Sequence, residues 1–292
     1  MANTTTSGGI TWNGGEIDME VLLTGDIKLA SPPEIFLKIS EIIDDPSKTV
    51  RDAEQVIRHD PGLAARLLRL VNSAFYGFPR QISSISHAIT LIGVKELRDL
   101  VLATVVVERF SRLPNKLMTM REFWRVSVRG ALLAKEMSKG LAGVESMFVC
   151  GLLHEIGRLV IYARIPELAR AALLLAKAED LEESVAERRT YGFDHYQLGA
   201  ELMQRWQLPD VIVATLRHHG HPEEAKVFAR ETALVTLALM LSLKEITAEQ
   251  LPHFPPAAEL TGYLQLDTEA LIEAMSAADQ QFQSVFSLLM GG

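Results

Sequence analysis

The sequence predicts an all-α protein, and three observations support this fold class. Successive segments carry apolar residues at the spacing of a helix that buries one face. Serine, aspartate or proline precedes many of these segments and glycine follows many of them, as is typical of helix starts and stops. No convincing run alternates apolar and polar residues, which is the pattern that predicts half-buried strands.

The first half of the chain predicts a short tail followed by a series of helices. Residues 1–16 are rich in Thr, Gly, Ser and Asn with few apolar anchors, which predicts a disordered tail. Helices are predicted from about Met19 onward, and Ser31 with the two prolines after it predicts a capped helix start. The sequence HDPG divides the next two helices, because Pro61 fits a first helical turn. Gly93 predicts a junction within the long apolar segment that follows.

The second half predicts further helices, most of them bounded by glycine or proline. The segment VESMFVCGLLHEIGRLVIYARI is interpreted as one helix that ends near Pro166. Four shorter helices follow, in PELARAALLLAKAED, LEESVAERRTYG, DHYQLGAELMQRWQ and PDVIVATLRHHG. The final helix, from Asp267, is amphipathic, and we expect it either to cover the core or to form a dimer seam. Trp124 and Trp206 are predicted to be core anchors at helix–helix contacts.

Composition and charge restrict the class of protein. The 292 residues are 48% hydrophobic and 23% charged, which is ordinary for a globular protein with a sizeable core. The net charge of -8 argues against a protein that binds nucleic acid through a basic face. The one cysteine, Cys150, is interpreted as a small core side chain. No apolar run reaches the length of a membrane span, and MANTTTSGG is unlike a signal peptide, so we expect a cytoplasmic protein with no membrane partner.

Four histidines fall on successive predicted helices and suggest a shared polar pocket. They are His154, His195, His218 and His219. Neutral imidazole is the commonest protein ligand of transition metals. Neighbouring residues on a helix project about 100° apart, so an adjacent pair cannot hold one ion as residues four positions apart do. Gly199, one turn after His195, would let another helix approach closely. Hydrogen-bonded core histidines remain an equally open interpretation.

The stretch NSAFYG is the distinctive part of the first half, and it has two interpretations. Asn72, Ser73, Phe75 and Tyr76 could form a contact surface for a partner or a small ligand. Alternatively, Asn72 and Ser73 cap a helix end while the two aromatic rings pack against the second half of the chain. We favour the second interpretation.

The sequence VNSAFYGFPRQISSISHAITLIGVKELRDLVLA, residues 71–103, resembles the signature of the HDOD family, a bacterial group related to the HD-domain metal-dependent phosphohydrolases. FWRVSVRGALLAKEM, GLLHEIGRLV, DHYQLGAELMQRW and LRHHGHPEEA follow in the order that the family shows. The resemblance extends from about Leu29 to Leu241 and implies an HD-like helical bundle with a smaller amino-terminal helical subdomain. We accordingly divide the chain into a tail at residues 1–16, an amino-terminal subdomain at 17–115, a degenerate HD-like bundle at 116–245 and a helical extension at 246–292.

The resemblance also gives the histidines a role. It implies a site for one divalent ion, Fe, Mn or Zn, formed by the positions that match metal ligands of the relatives. These positions are His154, Glu155, His195, His218 and His219. Glu155 stands where the family of active enzymes has an aspartate, and Val126 and Leu239 stand where two further ligands are expected.

These three departures predict the loss of catalysis. Glutamate keeps the charge but moves the carboxylate by roughly 1.5 Å, and valine and leucine remove ligands from the metal that would activate water. We therefore expect a non-catalytic regulatory module of signal transduction, which binds a signalling protein partner or a nucleotide second messenger. The alternative hypothesis is a metal-dependent phosphohydrolase that acts on a nucleotide or cyclic dinucleotide. Absence of bound metal would rule out the phosphohydrolase, whereas bound metal would leave both hypotheses open, because the ion could be structural.

Overall fold

The structure is a computed structural model that describes residues 5–7, 10–12, 17–24, 31–113, 116–141, 144 and 146–291. Within these ranges it is almost entirely helical, which confirms the predicted all-α fold class. The helices of the first half are α1 (Met19–Leu23), α2 (Glu34–Asp44), α3 (Val50–Arg58), α4 (Pro61–Val71), α5 (Ile85–Ile92) and α6 (Val94–Phe110).

The second half of the described chain continues with ten helices. They are α7 (Met120–Ser138), α8 (Met147–Leu153), α9 (Ile156–Arg164), α10 (Pro166–Glu179), α11 (Glu183–Tyr191), α12 (His195–Arg205), α13 (Asp210–His218), α14 (Ala229–Leu243), α15 (Pro255–Leu264) and α16 (Thr268–Met290). Short 3₁₀ helices lie at Pro222–Glu224 and Leu251–His253. None of the helices in the described ranges is both long and apolar enough to cross a membrane.

Two short strands lie within the segment that the sequence predicts to be a disordered tail. β1 (Thr5–Ser7) pairs antiparallel with β2 (Ile10–Trp12), and Thr6 is opposite Thr11. Threonine, isoleucine and tryptophan favour strands, and a composition-based prediction of disorder overlooks this preference. The prediction therefore does not hold for the paired residues, and the rest of 1–16 lies outside the described residues.

Two predicted helix boundaries in the first half of the chain are confirmed, and the predicted start of α2 is wrong. Asp60 caps α4, since its side chain accepts a hydrogen bond from the backbone N–H of Leu63 at 2.9 Å, and Pro61 occupies the first turn. Gly93 ends α5 and begins α6 with a φ of 84°, a conformation that glycine adopts without strain. Ser31 does not cap α2, because the helix begins later, with the extended Pro33 as its cap residue.

The core is built around α7, which packs against α8, α14 and α16. Trp124 on this helix is fully buried. Trp206, at the end of α12, is also fully buried and meets Phe110 of α6 edge-on, with ring centroids 6.4 Å apart. Both tryptophans are therefore core anchors, as predicted.

The carboxy-terminal helix covers the core of both halves. α16 packs against α7 and also against α6 and α4. Its buried residues include Leu271, Met275 and Val285. Of the two roles considered for this helix, covering the core is the one that the structure supports. The subdomain boundaries at residues 115/116 and 245/246 stay predictions.

Asn72 fixes the loop that follows α4. Its side-chain amide donates to the carbonyl of Leu68 at 2.8 Å and to that of Ile82 at 2.7 Å. Its carbonyl oxygen accepts from the backbone N–H of Ile82 at 2.6 Å. Because one side chain serves both ends of this loop, Asn72 has a structural role, as the favoured interpretation of NSAFYG expects.

The aromatic junction, as we name Phe75, Tyr76, Lys135 and Phe148, connects the first half of the chain to the second. The ring of Phe75 meets that of Phe148 on α8 with centroids 4.8 Å apart. Lys135 of α7 places its Nζ 3.1 Å from the ring centroid of Phe75 and 4.1 Å from that of Tyr76. The two aromatic residues of NSAFYG thus pack against the second half, as predicted.

Candidate functional site

A break in the helical backbone positions His154 and Glu155. The sequence predicts one continuous helix here, but α8 ends at Leu153 and α9 begins at Ile156, with a turn between them. In a regular helix, two adjacent side chains would point about 100° apart. At this turn both side chains approach His219, whose ring centroid is 5.3 Å from that of His154 and whose Nε2 is 3.9 Å from Glu155 Oε1.

Two glycines bring α9 and α12 into backbone contact at the site. A Cβ atom on Gly157 would lie 2.1 Å from the carbonyl oxygen of His195 and 2.6 Å from the backbone nitrogen of Gly199. No side chain larger than hydrogen fits at Gly157 without moving one of the helices. The prediction that Gly199 permits a close helix approach is therefore confirmed, and this approach brings His195 next to Glu155.

His154 and His219 have the same arrangement of hydrogen bonds. Nδ1 of His154 is 2.8 Å from the carbonyl oxygen of Gly151, and Nδ1 of His219 is 3.0 Å from that of Leu216. A carbonyl only accepts, so each Nδ1 carries the proton and donates it. The Nε2 atoms of both rings are buried and have no hydrogen-bond partner among the described residues.

His195 lies between two carboxylates. Its Nδ1 donates to Oε2 of Glu187, at 2.6 Å, and its Nε2 is 3.3 Å from Oε1 of Glu155. The ring of Tyr196 lies against that of His195, with centroids 4.0 Å apart. Both ring nitrogens of His195 and one face of its ring therefore contact neighbouring side chains.

Arg158 completes the cluster. It follows Glu155 by three residues, and its guanidinium contacts the carboxylates of Glu155 and Glu183. A third nitrogen of the guanidinium is 3.1 Å from Nε2 of His195. We name this group the His–Glu cluster, and its members are His154, Glu155, Arg158, His195 and His219.

The charges of the cluster follow from burial and from neighbouring groups. Burial lowers the pKa of His154 to about 3, so this imidazole is neutral at pH 7. Burial opposes ionisation of Glu155, but Arg158 and His195 outweigh burial and hold the pKa of Glu155 well below its usual range. Burial and Arg158 disfavour a charge on His195, yet Glu155 and Glu187 outweigh both and raise the pKa of His195 to about 9.

The two apolar substitutions occupy different places. Val126 of α7 lines the cleft that opens onto the cluster. Leu239 of α14 is buried against α7, where a Cβ atom on Gly130 would lie 2.7 Å from its Cδ2. Neither side chain carries a donor atom, so the two ligands expected from the resemblance are absent at these positions.

The structure brings together four of the five predicted ligands and leaves His218 apart. His219 faces the cluster, whereas His218 lines a separate cavity with Arg217 and Phe228. The two residues are adjacent at the end of α13, and adjacent helical residues project in different directions. His218 is therefore not a member of the cluster.

A cleft of about 710 Å³ opens onto the cluster. Its lining includes the carboxylates of Glu122, Glu155, Glu182 and Glu183 and the guanidinium groups of Arg125 and Arg158. Both guanidinium groups make ion pairs: Arg125 with Glu122 and Glu245, and Arg158 with Glu155 and Glu183.

Sequence reasoning missed three residues of the site. Arg158 attracts notice only as the residue in place of the second histidine of an HExxH pattern. Glu187 and Tyr196 carry no local signal, since a carboxylate on one amphipathic helix and a tyrosine on another are typical of ordinary surface or core positions. The interhelical contact that brings Glu187 to His195 is a tertiary feature.

A divalent ion, which the resemblance implies, does not fit the cluster as it stands. In the described part of the chain, no group of three or more His, Cys, Asp or Glu side chains has the geometry to hold a metal ion. The physical reason is Arg158, whose guanidinium takes up the carboxylate of Glu155 and lies against Nε2 of His195. A second cation at this place would be repelled.

The fold is an HD-like helical bundle, and the His–Glu cluster lies between its helices α8, α9, α12 and α13. The HDOD domain profile matches residues 29–222, which is more than half of the chain. The chain belongs to the HDOD domain family.

Relatives of known structure have the same fold. A protein from Shewanella amazonensis SB2B, whose name assigns it provisionally to the phosphohydrolases, is 25% identical with a TM-score of 0.73, and the match covers 88% of this chain and 94% of that one. An HDOD domain protein of unknown function from Geobacter sulfurreducens is 23% identical with a TM-score of 0.72, over 93% of this chain and 99% of that one.

A longer relative is known from Treponema pallidum (strain Nichols), where it is an uncharacterized protein. It is 25% identical over 261 residues, which cover 87% of this chain and 49% of the relative. The chain thus spans about half the length of the curated relative that it matches.

Proposed function

We propose that this chain is a non-catalytic regulatory module of signal transduction that acts by binding a protein partner. The observation that carries the proposal is the position of Arg158, whose guanidinium lies among the side chains that would have to bind a catalytic metal. The charge of an arginine is permanent in a protein, so it occupies this place at every physiological pH.

The missing ligands support the same conclusion. Hydrolysis by an HD-type site needs a metal that activates water and clamps phosphate. Val126 and Leu239 offer no lone pair, and Glu155 is engaged by Arg158. What remains is a buried cluster of ion pairs and hydrogen bonds, which suits a structural role beneath a binding surface.

The charge of the cleft favours a protein partner over a nucleotide. Four glutamates line it, and both lining arginines already pair with carboxylates. Phosphate groups are recognised by cationic side chains whose hydrogen-bond donors are not already engaged by carboxylates. A cleft with an excess of carboxylates repels phosphates and suits a partner that presents basic or polar side chains.

Turnover measurements test the absence of catalysis. Protein loaded with Mn²⁺ or Zn²⁺ would be assayed against cyclic dinucleotides, guanosine tetraphosphate and nucleotide monophosphates, with His154→Ala as the control. We expect the same background rate from both proteins. Turnover by the wild type that His154→Ala abolishes would establish the phosphohydrolase instead.

Two binding measurements test the class of partner. Calorimetric titration with the same nucleotides should give no heat of binding. Saturable binding would instead identify a nucleotide, and not a protein, as the ligand of the cleft. A protein partner retained by the wild type should be released by Glu182→Lys at the edge of the cleft. Glu34→Lys makes the same change of charge on exposed α2 and should retain the partner.

A further inference from the structure

We propose that the guanidinium of Arg158 is the resident cation of the His–Glu cluster, in the place of a divalent ion, and that its removal opens a metal site formed by the other four side chains. This inference deepens the proposed function and rests on it in one respect, namely that the wild-type site works without a catalytic metal.

The position of Arg158 is the first argument. Its side chain is only 14% exposed. It follows Glu155, the residue directly before α9, by three positions, so the two side chains lie on the same side of the backbone. The guanidinium contacts Glu155, Glu183 and His195 at once. A planar cation with several donors thus gives the partly buried carboxylate of Glu155 a counter-charge.

The state of the histidines is the second argument. Nδ1 of His154 and of His219 donates to backbone carbonyls, and Nδ1 of His195 donates to Glu187. A metal-binding histidine usually donates its other ring N–H to a carbonyl or a carboxylate in this way. In His154 and His219, moreover, the buried Nε2 atom has no hydrogen-bond partner among the described residues. A buried polar atom without a partner is costly, and a metal ion would remove that cost.

The spacing of the donors is the third argument. Oε1 of Glu155 is 3.3 Å from Nε2 of His195 and 3.9 Å from Nε2 of His219. Metal–ligand bonds of roughly 2.0–2.1 Å in a tetrahedral site place two ligands roughly 3.3 Å apart. The first of these two donor pairs therefore has the spacing of a zinc site, and the second is wider. The guanidinium nitrogen 3.1 Å from His195 stands in the way of an ion that would bridge them.

The test uses the full chain and three proteins: wild type, Arg158→Ala and Arg158→Lys. Each is freed of metal with a chelator and then titrated with Zn²⁺ or Mn²⁺ alone. Bound metal is measured by elemental analysis, and the thermal midpoint is measured with and without the ion. Arg158→Lys is the matched control, because it keeps a cation on a side chain of similar length.

We expect Arg158→Ala to bind about one ion per chain and to gain thermal stability from it. Wild type and Arg158→Lys should bind far less and should not change in thermal midpoint. Adding His195→Ala to Arg158→Ala should abolish the gain, which separates this site from surface histidines. An equivalent of metal in the wild type, or none in folded Arg158→Ala, would overturn the inference.

A folding failure of Arg158→Ala leaves the inference testable. Arg158→Gln keeps more of the side chain, and either variant can be refolded in the presence of Zn²⁺. Recovery of helicity only with the ion supports the inference, and failure to recover with it counts against the inference. Because the proposed function is tested by turnover and partner binding of the wild type, its failure is distinguishable from these outcomes.

Discussion

Two cations with nearly equal burial, Arg158 and Lys135, are held in different ways. Their side chains are 14% and 16% exposed, respectively. Arg158 pairs with the carboxylates of Glu155 and Glu183 and also contacts His195. Its surroundings are polar, and its contacts with the two carboxylates are ion pairs.

Lys135 of the aromatic junction lies instead over ring faces. Its Nζ is 3.1 Å from the ring centroid of Phe75 and 4.1 Å from that of Tyr76. A carboxylate oxygen of Glu96 is 3.8 Å away, and the carbonyl oxygen of Phe75 is at 3.5 Å. Burial outweighs the attraction of the carboxylates and lowers the pKa of Lys135 to about 8.

The difference shows that burial alone does not decide what a charge contributes. Arg158 is charged at every physiological pH, and carboxylates compensate for the water that it has lost. Lys135 is compensated mainly by aromatic faces, and its charge is retained less firmly. We therefore expect loss of the Arg158 cation to lower the free energy of unfolding strongly. Loss of the Lys135 cation from the aromatic junction should change it little.

Removal of the guanidinium should have the largest effect. Arg158→Met in metal-free buffer leaves the partly buried carboxylate of Glu155 without its strongest counter-charge, so we expect a loss of about 3–5 kcal/mol in the free energy of unfolding. Urea denaturation followed by circular dichroism measures it. A loss below about 1 kcal/mol in the free energy of unfolding would mean that the ion pairs of Arg158 contribute no more than exposed surface pairs do.

The close approach of α9 and α12 should be the next most sensitive feature. Gly157→Ala places a methyl group against backbone atoms that cannot rotate away. We therefore expect a loss of about 3 kcal/mol in the free energy of unfolding, which is at the upper end of the usual cost of overpacking a core. Gly262→Ala on α15 is the control, since a Cβ there meets nothing within 4 Å. Helix propensity predicts that the control is stabilised by up to about 1 kcal/mol. Equal changes in the free energy of unfolding for the two variants would contradict the close backbone contact between α9 and α12.

The pH dependence of stability separates the two cations. Below pH 8 the ammonium of Lys135 is protonated in both the folded and the unfolded chain. Between its folded pKa of about 8 and the unfolded value of 10.5, the unfolded chain binds more protons. Stability therefore rises with pH through this window. Relative to Lys135→Met, we expect the free energy of unfolding of the wild type to rise by about 2 kcal/mol through this window. The rise is smaller than the full cost of burying the charge, because the cation–π contacts stabilise the charged form.

Urea midpoints of wild type and Lys135→Met at pH 7.5 and pH 9.5 test this expectation. The variant is the reference that cancels all other titrating groups. Parallel changes in the two proteins would show that Lys135 keeps its ordinary pKa, and the contrast with Arg158 would then be lost.

The smallest effect is expected from Lys135→Met at pH 7. Methionine preserves most of the apolar stem against the two rings while removing a charge that is costly to bury. Loss of the cation–π contacts and relief of the burial cost oppose each other. We expect the free energy of unfolding to stay within about 1 kcal/mol of the wild type, on the stabilising side. A loss near that of Arg158→Met would contradict the comparison.

The sequence predicts the helices well where local chemistry specifies them. Asp60 with Pro61 and the junction at Gly93 act within one turn of chain, so their effects can be inferred without knowledge of tertiary contacts. Trp124 and Trp206 are predicted core residues for a similar reason, since large apolar side chains in amphipathic segments are buried in most folds.

The features that the sequence does not reveal are tertiary. The break at His154 and Glu155 contains no proline or glycine, so the sequence predicts one helix across it. The separation of His218 from His219 depends on which face of α13 is buried. The role of Arg158 depends on groups from α11 and α12, and no local pattern relates them.

The central claim is that the cluster contains its own cation and does not depend on a metal. The most direct measurement is elemental analysis of wild-type protein purified without chelator and without a histidine tag. We expect Fe, Mn and Zn far below one equivalent per chain. One equivalent of any of them, lost from His195→Ala, would contradict it.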